Sequence, residues 1–142
     1  MEVAEVRRRL RAAIEGARQR ARERRVRSDE AAREYEIFLA QRAVPVLHVL
    51  AAALTGEGHR FNVFTPAGSV RLSSEHAPDD FIELSLDPAA DPPAVVGRIS
   101  RGRGRRNVTL DRPVKADTPV AALTEEDVLD FVLSEIGPFV ER

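Results

Sequence analysis

Apolar positions follow two different periods along the chain. Through residues 2–43 they recur every three or four residues, over 59–110 they alternate, and from Thr124 the helical spacing returns. The first stretch has no proline and one glycine, Gly16, and is rich in Ala, Arg, Glu and Leu, all good helix formers. It reads as one long helix, or as two with a break near Arg27-Ser28-Asp29, where Ser28 suits an N-cap. Val3, Val6, Leu10, Ala13 and Ala17 form a short heptad seam whose register then runs into Arg20, Arg24 and Arg27. Residues 18–27, RQRARERRVR, carry Arg on every face of a helix, so a dry interface there would leave desolvated charge.

The apolar face returns with Tyr35, Phe38 and Leu39, and Pro45 marks the first turn of a second helix. Val46, Leu47, Val49, Leu50 and Leu54 make that helix apolar on most sides, so it is expected to be buried, with His48 packed inside it. Thr55-Gly56-Glu57-Gly58 stops it.

The alternating region predicts two hairpins and one single strand. A Thr65-Pro66-Ala67-Gly68 turn centred on Pro66-Ala67 sets Phe61 opposite Leu72 and Val63 opposite Val70, with Arg60, Asn62, Phe64 and Arg71 on the other face. The segment FIELSL offers Ile82, Leu84 and Leu86 inward. After the loop DPAADPP, Val95, Gly97 and Ile99 run against Val108 and Leu110 through a turn made by Arg101 to Gly104, with positive φ at Gly102 and Gly104. Thr124 caps a last helix with Asp127 at N3 and a Leu123–Val128 staple. Its core face is Val128, Leu129, Val132, Leu133 and Ile136, closed by a left-handed cap at Gly137 before Pro138.

The expected fold is α+β: a long N-terminal helical segment, an antiparallel meander sheet of about five strands, and a C-terminal amphipathic helix packed on one sheet face. Residues 1–28 form a basic helical arm, and 29–142 form a single α+β domain.

Charge sharpens that division. The formal net charge of the 142 residues is −1, yet residues 1–27 hold 10 Arg against 4 Glu, net +6, and residues 28–142 hold 12 Lys plus Arg against 19 acids, net −7. A basic arm on an acidic body suits a polyanion, an acidic partner, or an acidic surface of its own oligomer. Lys115 is the only lysine among 22 basic residues, a bias that discounts the arginine count as a sign of selection for anion binding.

The candidate residues follow. Polyanion or partner binding falls to Arg18, Arg20, Arg22, Arg24, Arg25 and Arg27 on the arm, and to Arg98, Arg101, Arg103 and Arg105 in the hairpin RISRGRGRR. Oligomerisation falls to Val3, Val6, Leu10 and Ala17. The lack of Trp, and of outward rings other than Phe64 and Phe81, argues against a single-strand stacking platform. His59, His76, Asp79 and Asp80 are weak metal or base candidates at one sheet rim, where a plain polar loop is the competing reading.

Cysteine is absent, which excludes a disulfide framework, a thiolate zinc site and a cysteine nucleophile. There is no G-x-S-x-G elbow, P-loop, G-x-G-x-x-G after a strand, or H-E-x-x-H. No catalytic residue and no cofactor is assigned. The N-terminus lacks a signal-peptide apolar region, and the longest mainly apolar run is 11 residues, Val44 to Leu54, so the expectation is a cytoplasmic chain with no membrane partner. The leading functional expectation is a non-enzymatic protein–protein interaction module, a homo-oligomer through the N-terminal helix. A nucleic-acid-associated protein and a small metal-dependent enzyme at the His59/His76 rim are the alternatives.

Overall fold

The computed structural model describes residues 1–141. A long helix α1 (Val3–Phe38) passes through one π turn (Leu39–Ala43) into α2 (Val44–Gly56). An antiparallel sheet follows, β1 (Phe61–Phe64), β2 (Ser69–Ser74), β3 (Phe81–Asp87), β4 (Ala94–Arg103) and β5 (Arg106–Pro113), in the order β1-β2-β3-β4-β5. A 3-10 turn (Val120–Ala122), α3 (Glu125–Glu135) and a short α4 (Gly137–Val140) complete an α+β layout with an open five-stranded meander.

Of the two readings of the first stretch the single long helix is the one observed: good helix formers on both sides of Ser28 outweigh one capping side chain, and α1 runs through it unbroken. The interruption falls instead just before Pro45. That proline has no N–H to give, and its ring collides with the carbonyl four residues back. The chain widens by one residue, Val44 N–H reaching the Leu39 carbonyl, and the helix continues to Gly56. It ends in a Schellman motif: Gly58, at φ +92°, donates to Thr55 O (3.0 Å), and His59 N–H donates to Leu54 O (2.8 Å). One window of this continuous helix has a mean hydropathy of 1.7, long and apolar enough to cross a bilayer. Only 28 % of that window is buried, with α2 giving Leu47, Leu50 and Ala51 to the core.

The core lies between one sheet face and α1, α2 and α3. Phe38, Leu47, Val70, Leu72, Ile82, Leu84, Val128 and Val132 are all but fully buried. Tyr35 crosses from α1 to the sheet, its hydroxyl donating to Gly68 O at 2.7 Å, and burial followed by the nearby Glu83 charge pushes its pKa up to about 12. Gly97 leaves room over β4 for the ring of Phe131, a core residue absent from the predicted face of α3. Thr124 and Asp127 make the predicted capping box, with Asp127 N–H on Thr124 Oγ1 (3.1 Å) and Thr124 N–H on Asp127 Oδ2 (2.9 Å).

Four further expectations are corrected. The first hairpin pairs Phe61 with Ser74 and Val63 with Leu72, two residues from the predicted register, because the turn centres on Ala67-Gly68 and Ser69 N–H closes it on Pro66 O. An even slip keeps every side chain on its predicted face. Gly102 lies within β4, and the second turn is the two residues Gly104-Arg105, with positive φ at Gly104 alone. Gly137 has no left-handed φ, and the chain runs from α3 straight into α4. His48, Leu133, Val108 and Leu110 are exposed, because the helical layer stops short of β5 and seats α2 and α3 by other faces.

Candidate interaction surfaces

Periodicity along α1 decides what its arm presents. Between Ala21 and Phe38 the less exposed positions are 21, 28, 31, 34, 35 and 38, one stripe of the helix, and this side of α1 meets the 3-10 turn Val120–Ala122, the β3–β4 loop and, through Tyr35, the Gly68 carbonyl. At 100° per residue, Val3, Val6, Leu10, Ile14 and Ala17 continue that stripe outward. Beyond Ala21 it is uncovered among the described residues: Val3 is 73 % exposed, Leu10 56 %, and Val6 and Ile14 both above 40 %. The arm is thus a projecting helix whose apolar side faces the way the body lies and overhangs open space. Of the predicted seam, Val3, Val6, Leu10 and Ala17 are on this stripe; Ile14, not assigned from sequence, belongs with them.

The arm's arginines divide by what they meet. Arg8 and Arg9 pair with Glu5, and Arg22 with Glu15, exposed pairs of little energetic weight. Arg24, Arg25, Arg27 and Ser28 line an open cleft of about 400 Å³ against the β3–β4 loop, where Arg27 lies 3.6 Å from Asp91. Arg18 and Arg20 are exposed with no carboxylate in pairing distance among the described residues.

The hairpin arginines separate likewise. The register aligns Arg71, Glu83, Arg98 and Asp111 in one row of alternating charge across β2 to β5 on the outer sheet face. Arg71 Nε is 3.0 Å from Glu83, with the guanidinium 3.9 Å over the Phe81 ring. Arg98 grips Asp111 through two bonds of 2.9 and 3.2 Å; the bond to Arg98 holds the Asp111 carboxyl below its usual range and raises Arg98. Arg98 is therefore already paired. Arg101, Arg103, Arg105 and Arg106 remain at the tip without an ion-pair partner among the described residues.

The two basic segments are not neighbours. The arm leaves the body at the β3–β4 loop, where β4 begins, and the Arg-rich tip is where β4 ends. Ten strand residues separate those ends by roughly 30 Å, and residues 3–20 of the arm extend roughly a further 27 Å away.

At the His59/His76 rim, no group of three or more His, Asp or Glu residues converges among the described residues. The carbonyl of Asp79 accepts from Ser100 Oγ (2.7 Å), and the buried Asp80 carboxylate accepts from Gly102 N–H (2.7 Å). These bonds pin the long hairpin to the β2–β3 loop and bury Ser100.

Sequence reasoning missed one surface. Between α2 and α3 lies a mostly apolar groove of about 460 Å³, with Val46 and Val49 on one wall, Leu129 and Leu133 on the other, and Glu125 and Glu126 at its rim. Val49 is 70 % exposed and Leu133 55 %. The signal was present: α2 is apolar on more sides than one sheet face can cover. Compared with known proteins, no family model, curated protein or solved structure matches the chain.

Proposed function

We propose that the protein is a non-enzymatic interaction module that self-associates through its N-terminal helix. The observation that carries this reading is the exposed stripe Val3, Val6, Leu10 and Ile14 on a helix segment that projects from the rest of the described residues. A lone helix of this length in water is marginal, and its apolar residues stabilise nothing until they are covered. Burying four such side chains is worth on the order of 5 kcal/mol or more before the entropic cost of association is charged against it. Spacings of three, four and four are those of a helix laid into a partner surface.

Light scattering on the full chain at micromolar concentration tests it. The expected mass is a multiple of the monomer's, reduced to one monomer by Leu10→Glu with Ile14→Glu, both on exposed helix where folding is undisturbed. A monomer at every concentration up to about 100 μM refutes it.

A second reading, nucleic-acid association, rests on the unpaired Arg101, Arg103 and Arg105 at the hairpin tip. It requires a gel shift at 50 mM salt that weakens steeply with added salt and loses slope when these residues become Ala.

A further inference from the structure

We propose that the occupant of the α2/α3 groove is the arm of a second copy of this chain. The inference rests on the self-association reading and names the surface it uses. Three features favour this occupant. The stripe Val3, Val6, Leu10 and Ile14 supplies apolar anchors on one helix side, and the groove supplies an apolar floor with Val49 and Leu133 exposed at its mouth. Arg7, Arg11 and Arg18 flank the stripe along one side of the helix, and the groove's rim carries Glu125 and Glu126, neither with an ion-pair partner among the described residues. The arm as a whole is +6 and the remainder of the chain −7.

Direct pairing of two arms fits less well. It would bring two +6 segments together, and a parallel pairing would also set the Arg18 to Arg27 stretches near each other with few acids to offset them. Nor can the arm reach its own groove: α1 is a continuous helix that carries residues 3–20 away from the body. A membrane fits the basic stripe, but an anionic surface would repel the acidic body and leave the groove open. Exchange of arms between two copies uses the stripe and the groove together, and it explains why both apolar surfaces persist on one chain.

The absence of cysteine makes the test direct. Leu10→Cys protein and Val49→Cys protein are prepared separately, then oxidised alone and mixed, with Leu133→Cys as a second groove position. Arm-in-groove docking gives a disulfide dimer in the mixture that greatly exceeds either protein alone. A companion pair of charge reversals reads the rim: Glu125→Arg with Glu126→Arg weakens association about tenfold or more in scattering, and Arg7→Glu with Arg11→Glu in the same chain restores it. These acids are exposed and lie outside the capping pair, so the fold is kept, as circular dichroism checks.

Cross-linking of Leu10→Cys protein to itself, with association indifferent to the rim reversals, overturns the groove assignment and leaves self-association standing as arm pairing. A monomeric wild type overturns both, and a monomer that co-sediments with vesicles of anionic lipid overturns both in favour of a membrane surface.

Discussion

Gly97→Ala tests how α3 is held, and with it the wall of the groove. Gly97 sits in β4 between Leu84 of β3 and Arg112 of β5, on the buried face. A Cβ added there would fall onto the Phe131 ring at Cζ and Cε2, closer than non-bonded carbons tolerate. Phe131 is itself buried, so either α3 lifts or the ring leaves its site. Overpacking of this kind costs about 1–3 kcal/mol, and loss of the ring's burial lies at the upper end of that range. We expect a loss of about 2–3 kcal/mol in urea unfolding followed by circular dichroism, with the melting temperature lower by roughly 6–10 °C. Phe131→Leu removes the ring atoms concerned and alone costs about 1 kcal/mol. In that background Gly97→Ala should cost little, or stabilise slightly by relieving the entropic penalty of glycine in a strand. The cycle thus has a coupling of about 2 kcal/mol. Equal losses from Gly97→Ala in both backgrounds would show that the ring is not what the glycine accommodates.

Two further outcomes follow from the core and the cap. Tyr35→Phe leaves the Gly68 carbonyl without its hydroxyl partner and should destabilise by about 1 kcal/mol in the same unfolding assay. The folded pKa of Tyr35 lies above the unfolded value, so its stabilisation is complete below pH 10 and falls as pH rises from 10 towards 12; the Phe variant should lack that part of the alkaline decline, and an unchanged decline would refute the assignment. Thr124→Ala removes the cap of α3 and should cost about 1 kcal/mol. Bonds from Thr124 N–H and then Lys115 hold Asp127 below its ordinary pKa, so this carboxylate stabilises the fold above the unfolded value near pH 4, and that contribution fades as pH falls through the lower folded value. Asp127→Asn should flatten stability against pH in that acid window, and an unaltered slope would count against the capping box.

What could be read from the sequence was local. Alternation identified the inward residues of β2, β3 and β4, and an error of two in the first register did no harm because strand faces repeat every two residues. The Thr124 cap was legible because its partner, Asp127, is three residues away. Coverage was not legible. Val108 and Leu110 share a face with Ile99 as parity requires, yet they stay exposed because no helix extends over β5. Leu133 was expected in the core and Phe131 was not assigned to it, since what seats α3 is a space left by a glycine in β4, 34 residues earlier. A glycine inside a strand is a sign of close approach, but it does not say by what. The excess apolar surface of α2 was a legible sign, but the groove itself was not, because its second wall exists only once α2 and α3 have been set side by side.

The two arginine-rich segments look alike as strings and differ as surfaces. In RISRGRGRR, Arg98 is bound to Asp111, one glycine serves the turn and the other serves Asp80, and the remaining arginines stand at the end of a hairpin whose outer strand is an open edge. Charge in that position discourages another strand from adding to the sheet, and the apolar side chains beside it, Val108 and Leu110, are half-exposed on the edge strand rather than gathered in a helical stripe. In RQRARERRVR and the turns before it, arginines border a row of exposed Val, Leu and Ile side chains on a helix already held straight by its continuation into the core. Cations alone give weak contacts that salt screens; cations beside an apolar stripe define a partner with an apolar floor and an acidic rim. A groove of that description lies on the same chain, which is why the partner we propose for the arm is another copy of the body from which it projects.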